Sequence, residues 1–175
     1  MKNLLLLLLA ITISTASIDA QNDKLTFPTE NNPSLGGQFI VIDSKGTIQE
    51  NYKKVKDYIN KNYKTPSEVI KSEIKDEYIR INGYTNYLYK NGGVDLDGTY
   101  VLEFKFKQDK IKLTYISSNN GVMDLIVKHS RHIKSNGKLR KSVIKYNTNV
   151  MNGLNVLLAT IVAELKKEKA TEEDW

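Results

Sequence analysis

The sequence predicts an α+β fold in the order β-α-β4-α, with one antiparallel sheet packed against helices. Three observations carry that prediction. Apolar residues recur at three- and four-residue spacing in residues 48–63, and again in residues 149–168. Between these stretches, residues 100–106 and 111–116 alternate apolar and polar side chains on either side of a tight turn. Without its leader the chain has about 155 residues, enough to bury a core without disulfide staples.

Residues 1–20 read as a signal peptide. Met1-Lys2-Asn3 is followed by an apolar run from Leu4 to Ile13, which stops at Ser14, short of the roughly 20 residues that a spanning helix needs. Cleavage after Ala20, with Ala16 as the other choice, starts the mature chain at Gln21. No later stretch is expected to reach spanning length. Residues 21–37 hold Pro28, Asn31, Asn32, Pro33, Gly36 and Gly37, and read as an irregular lead. A single domain follows over residues 38–168, then a charged tail over residues 169–175.

Phe39, Ile40, Val41 and Ile42 make a first strand, stopped by Asp43-Ser44-Lys45-Gly46. Thr47-Ile48-Gln49-Glu50 is a capping box, in which the threonine hydroxyl serves the Glu50 amide and the Glu50 carboxylate reaches back. Tyr52, Val55, Tyr58 or Ile59, and Tyr63 give the helix that follows its apolar stripe.

Residues 65–68 (Thr-Pro-Ser-Glu) suit a second helix start, but Val69, Ile70, Ile74, Ile79 and Ile81 are β-formers. Two strands are expected, at residues 68–74 and 77–89, about a turn at Lys75-Asp76-Glu77. Asp95-Leu96-Asp97-Gly98 reads as the next turn. Tyr100, Leu102, Phe104 and Phe106 then face one way, while Val101, Glu103, Lys105 and Lys107 form a mostly charged opposite face. Gln108-Asp109 turns the chain, and Ile111, Leu113 and Tyr115 alternate with Lys112, Thr114 and Ile116. Residues 118–147 give no clear pattern. Met151, Leu154, Leu158, Ile161 and Leu165 mark the last helix, capped by Thr148 or Asn149 and widened by Val156, Leu157 and Val162.

The absence of cysteine excludes disulfides, thiolate metal sites and a cysteine nucleophile. His129 and His132 have no third ligand beside them and sit among Lys128 and Arg131, so no metal and no cofactor is expected. The Asp95/Asp97 pair lacks the glutamate that closes a calcium loop, since Phe106 stands at that position. No G-x-S-x-G, triad spacing or phosphate-cradling glycine loop is present, and an enzyme is not expected. Tyrosines on the strands can stack on sugars or bases, but tyrosine is also simply a good strand residue.

Net charge is +6, and residues 125–163 contain no acid. Lys128, Arg131, Lys134, Lys138, Arg140, Lys141 and Lys145 there form a possible patch for anionic surfaces, or a solvated face.

Several features together resemble a family of exported bacterial proteins of unknown function with a TBP-like fold. They are the Leu-rich leader ending at Ala20-Gln21, the 48–63 helix, Val69-Ile70, and Asp76 with residues 79–83. The lysine-bearing hairpin, the last helix and the acidic end with Trp175 complete the set. The likeness spans most of residues 38–168 and departs at the N-terminal lead and the basic segment near 125–145. It implies a TBP-like sheet, export to the periplasm or beyond, and no catalytic residues.

The expected function is a non-catalytic binding or accessory module whose partner is another envelope protein. The alternative is a carrier of a small apolar ligand, held between the sheet and the last helix. Export makes nucleic acid an unfavoured partner despite the basic charge.

Overall fold

The computed structural model describes residues 24–26, 37–91, 93–117, 134–136, 138 and 140–167. The signal-peptide, histidine and tail assignments lie outside these residues. The elements run β1 (Phe39–Asp43), α1 (Ile48–Asn62), α2 (Pro66–Val69), β2 (Ile70–Ile74), β3 (Tyr78–Asn91), β4 (Val94–Lys107), β5 (Lys110–Ser117) and α3 (Lys141–Lys166). The five strands form one sheet in the order β1-β5-β4-β3-β2, and every neighbouring pair is antiparallel. This is the predicted α+β architecture, with one short helix added.

Local chemistry sets most boundaries. The capping box at Thr47 is present: the Glu50 amide donates to Thr47 Oγ1 at 3.2 Å and the Thr47 amide donates to Glu50 Oε2 at 2.7 Å. Two turns then lock together. Asp109, in the left-handed region at φ 58°, accepts from the Gly46 amide through Oδ1 at 3.0 Å, and the Ser44 amide donates to its carbonyl at 2.9 Å. The β4–β5 turn is thereby tied to the link between β1 and α1.

Three boundaries and one side-chain placement differ from the sequence-based expectation. Both signals in residues 65–74 are used: Pro66 opens a single helical turn, and the strand begins only at Ile70. Asp95-Leu96-Asp97-Gly98 is not a turn but lies in β4, paired with the far end of β3, and the reversal falls between the partners Asn91 and Val94, where Gly93 has φ 89°. The last helix begins at Lys141, so Thr148 lies inside it and donates its hydroxyl to the Ile144 carbonyl at 2.8 Å instead of capping. Val156 is 68% exposed, because it lies two residues from both Leu154 and Leu158 and so points away from their face.

Both long helices cover one side of the sheet. Val55 and Ile59 of α1, with Val150, Leu154, Leu158, Ile161 and Leu165 of α3, meet Ile79, Ile81, Leu102, Phe104, Ile111 and Leu113 in one core. By length and composition, Thr148–Lys166 (19 residues, mean hydropathy 1.2) could cross a membrane, which corrects the expectation that no stretch beyond the leader reaches spanning length. Its buried residues pack on the sheet, and we read it as a core helix.

The described part of the lead has no regular secondary structure but is anchored to α3. Leu25 is buried, and the Asn155 side chain clamps its backbone, accepting from the Leu25 amide at 2.8 Å and donating to its carbonyl at 3.2 Å.

Candidate binding face

Strand alternation places a second set of side chains on the sheet surface away from the helices. Register brings Phe39, Val41 and Asp43 of β1 beside Thr114, Lys112 and Lys110 of β5. These in turn stand beside Glu103, Lys105 and Lys107 of β4, and then Arg80 and Tyr78 of β3. Among the described residues, five cations thus share this region with two carboxylates, Asp43 and Glu103.

Glu103 organises the middle of the face. Its residue is only 9% exposed, and both carboxylate oxygens are engaged: Arg80 Nη2 donates to Oε2 at 2.7 Å, and Lys105 Nζ stands 3.3 Å from Oε1. Burial pushes the Glu103 carboxyl up, but the Arg80 and Lys105 contacts outweigh it and hold the group below the ordinary glutamate value. The same pairing raises the Arg80 guanidinium. Arg80 also stacks over the Tyr78 ring at 5.9 Å, and its Nε is buried with no hydrogen-bond partner. Lys112 Nζ lies 3.7 Å from the centre of the Phe39 ring.

Two polar clusters lie elsewhere. Past the last β2 and β5 pairs among the described residues, β3 and β4 continue together as an arm. Here Asp97 accepts from the Tyr84 hydroxyl at 2.5 Å and from the Tyr87 amide at 3.0 Å, holding Tyr87 at φ 56° within a bulge. On the helix side, Glu73 accepts from the Tyr52 hydroxyl and from Lys56 Nζ at 3.0 Å. An open groove of about 520 Å³ lies alongside, lined by Lys56, Asn60, Pro66, Ser67, Ile70 and Glu73. Among the described residues no group of three or more His, Cys, Asp or Glu is placed to hold a metal ion.

Of the sequence-predicted basic patch, Lys128 and Arg131 lie outside the described residues. Lys134, Lys138, Arg140, Lys141 and Lys145 are exposed, the last two in the first turns of α3. The cationic sheet face was not singled out from the sequence as a site, although its signal was present in the Glu103/Lys105/Lys107 and Lys112/Thr114 alternation. What the sequence lacked was the β1–β5 and β3–β4 neighbours that gather Phe39, Arg80 and the lysines onto one surface.

Among the described residues, the helices lie on one side of the antiparallel sheet and the charged side chains on the other, which is the layout of a TBP-like fold, and comparison with solved structures bears the fold out. The chain superposes on a TBP-like protein from Parabacteroides distasonis with TM-score 0.55 and 10% identity, covering 81% of this chain and 98% of that one. It also matches a DUF4468 family protein from Bacteroides ovatus, with TM-score 0.51 and 7% identity over 77% of this chain and 86% of that one. At these identities the likeness establishes the TBP-like fold. No family model and no curated protein matches the sequence.

Proposed function

We propose that the chain is a non-catalytic exported module that binds another component of the bacterial envelope through the face of its sheet opposite α1 and α3. The observation that carries this reading is the fixed cationic face. Glu103 holds Arg80 and Lys105 in place from beneath, yet their side chains remain 44% and 61% exposed. Charge held in place on an open surface favours an oppositely charged partner with little reorganisation on binding. The leader supports an extracytoplasmic setting.

Photo-crosslinking in an envelope fraction tests the proposal. A crosslinker at Val101, on this face, is expected to give a discrete adduct, and one at Asn60 on α1 is not. Equal labelling from both positions would reject the face as the binding surface. Turnover of a hydrolase substrate, abolished by alanine at a single residue of the protein, would reject the non-catalytic reading.

The apolar-ligand carrier is the second reading, motivated by the apolar breadth of α3 opposite residues 100–106. In the structure Leu154, Leu158, Ile161 and Leu165 occupy that interface at 1% exposure or less, so a ligand there would have to part them. Native mass spectrometry of the gently purified protein tests it: a co-purified small molecule would favour the carrier, and an apo mass the binding module.

A further inference from the structure

The lysines of the binding face stand in rows. Lys107 of β4 is the direct cross-strand partner of Lys110 of β5, and Lys105 is the direct partner of Lys112. Like charges directly opposite in an antiparallel pair destabilise the sheet, and here two consecutive same-face pairs are both lysine. Asp43 stands beside Lys110 and Glu103 beside Lys105, so the carboxylates on this face offset the repulsion only in part. A ligand that supplies negative charge to both rows relieves what the fold leaves unbalanced.

Geometry narrows the ligand. Same-face residues along a strand repeat every second position, so the two rows lie about 6.6–6.8 Å apart. An extended polypeptide has the same rise, and its alternate side chains repeat at the same spacing. Carboxylates at positions i and i+2 of an extended segment therefore match the rows one to one.

We infer that the Lys107/Lys110 and Lys105/Lys112 rows receive the alternating acidic side chains of an extended segment of a partner protein. The inference rests on the reading of the face opposite α1 and α3 as the binding surface. Contacts of this kind are exposed to water and ions. They give fast, salt-sensitive association more than high affinity.

The test is titration of the full mature chain with two synthetic peptides of equal composition, one alternating Glu and Thr, the other with its glutamates in one block. The alternating peptide is expected to bind at least severalfold more tightly, and to weaken about tenfold or more between low and high salt. The substitution Lys107→Glu turns one like-charge pair into an opposite-charge pair. It should lower peptide affinity severalfold while thermal stability holds or rises, a combination that a purely structural role for Lys107 would not produce. Lys53→Glu/Lys61→Glu, on the exposed side of α1, matches the charge change of Lys105→Glu/Lys112→Glu and should leave binding nearly intact.

Equal affinity for the two peptides, or equal loss in the α1 control, would overturn the inference. So would binding to phosphatidylglycerol vesicles or galacturonate oligosaccharides in preference to the peptide. If the peptide fails while the Val101 crosslink persists, only the acidic-segment inference falls. If both fail, the face itself is not the binding surface.

Discussion

Tyr100 occupies the space that a side chain on Gly83 would need: a Cβ at Gly83 would stand 2.3 Å from Cζ of the Tyr100 ring. The two residues are register partners on β3 and β4, and the Tyr100 hydroxyl meets that of Tyr63, at the end of α1, at 2.8 Å. The glycine thus lets an aromatic ring cross its own strand and pin α1 to the sheet, as aromatic residues do over glycines elsewhere in β-sheets. Burial is the main cause that raises the Tyr63 and Tyr100 hydroxyls, and it pushes their neighbour Tyr58 up to about 12.

Gly83→Ala should therefore destabilise the protein by about 1–3 kcal/mol, the usual range for overpacking, because the ring that must shift is buried and hydrogen-bonded to Tyr63. Thermal unfolding measures the loss. Adding Tyr100→Leu should make the alanine far less costly, since the clash disappears. An additive double variant would refute the contact as the cause.

Glu103 predicts an acid limit. Its folded-state value lies below the ordinary 4.5, so the stability it contributes is fully present above that pH. That stability is lost as pH falls through the lower folded value. Glu103→Gln should cost about 1.5–3 kcal/mol at neutral pH, the range for hydrogen bonds to charged groups, and should flatten the decline below pH 4.5. Some decline remains, because Glu50 and Glu73 are lowered as well. Denaturant titrations at stepped pH measure both effects, and an unchanged acid slope in the variant would count against the account.

The Tyr52 phenol is pushed up to about 12, first by burial and then by its hydrogen bond to the Glu73 carboxylate. Glu73→Gln should lower that value without returning it fully to 10, because burial remains. A pH titration of ring-labelled tyrosine followed by NMR reads this directly. If the Tyr52 value stays put, the Glu73 contact is not what holds it.

Asn155 should control the docking of the lead. Asn155→Ala removes two hydrogen bonds to the Leu25 backbone, about 1–3 kcal/mol together if each contributes its usual share. Amide exchange at Leu25 should accelerate well ahead of exchange in the sheet. Leu25 protection unchanged in the variant would show that burial of its side chain alone suffices.

Several elements were legible because their causes are local. Thr47 and Glu50 sit three residues apart and cap a helix wherever that helix packs. Val55 and Ile59 recur at helical spacing, and Phe104 and Phe106 alternate with lysines, so each element's inward face follows from its period alone. The expected order of elements and the antiparallel hairpin about Gln108-Asp109 rest on such signals.

Signals with two local solutions misled where packing chose between them. Asp95-Leu96-Asp97-Gly98 has turn composition, yet the long β3 partner draws it into a strand, and Asp97 spends its carboxylate on Tyr84 and Tyr87. Thr148 could cap a helix, but the helix had already begun at Lys141.

The sequence by itself determined the α+β class, the inward faces of α1, β4 and β5 and the charged alternation along β4 and β5, because hydrophobic period and turn chemistry act within a few residues. Only the tertiary structure decided that β1 would lie against β5, that Asn155 would hold Leu25 across 130 residues, and that Lys107 would face Lys110 and Lys105 face Lys112 within a surface also bearing Arg80 and Phe39. Such pairings depend on strand order and register, which are set by how the whole core closes and not by any short stretch of chain.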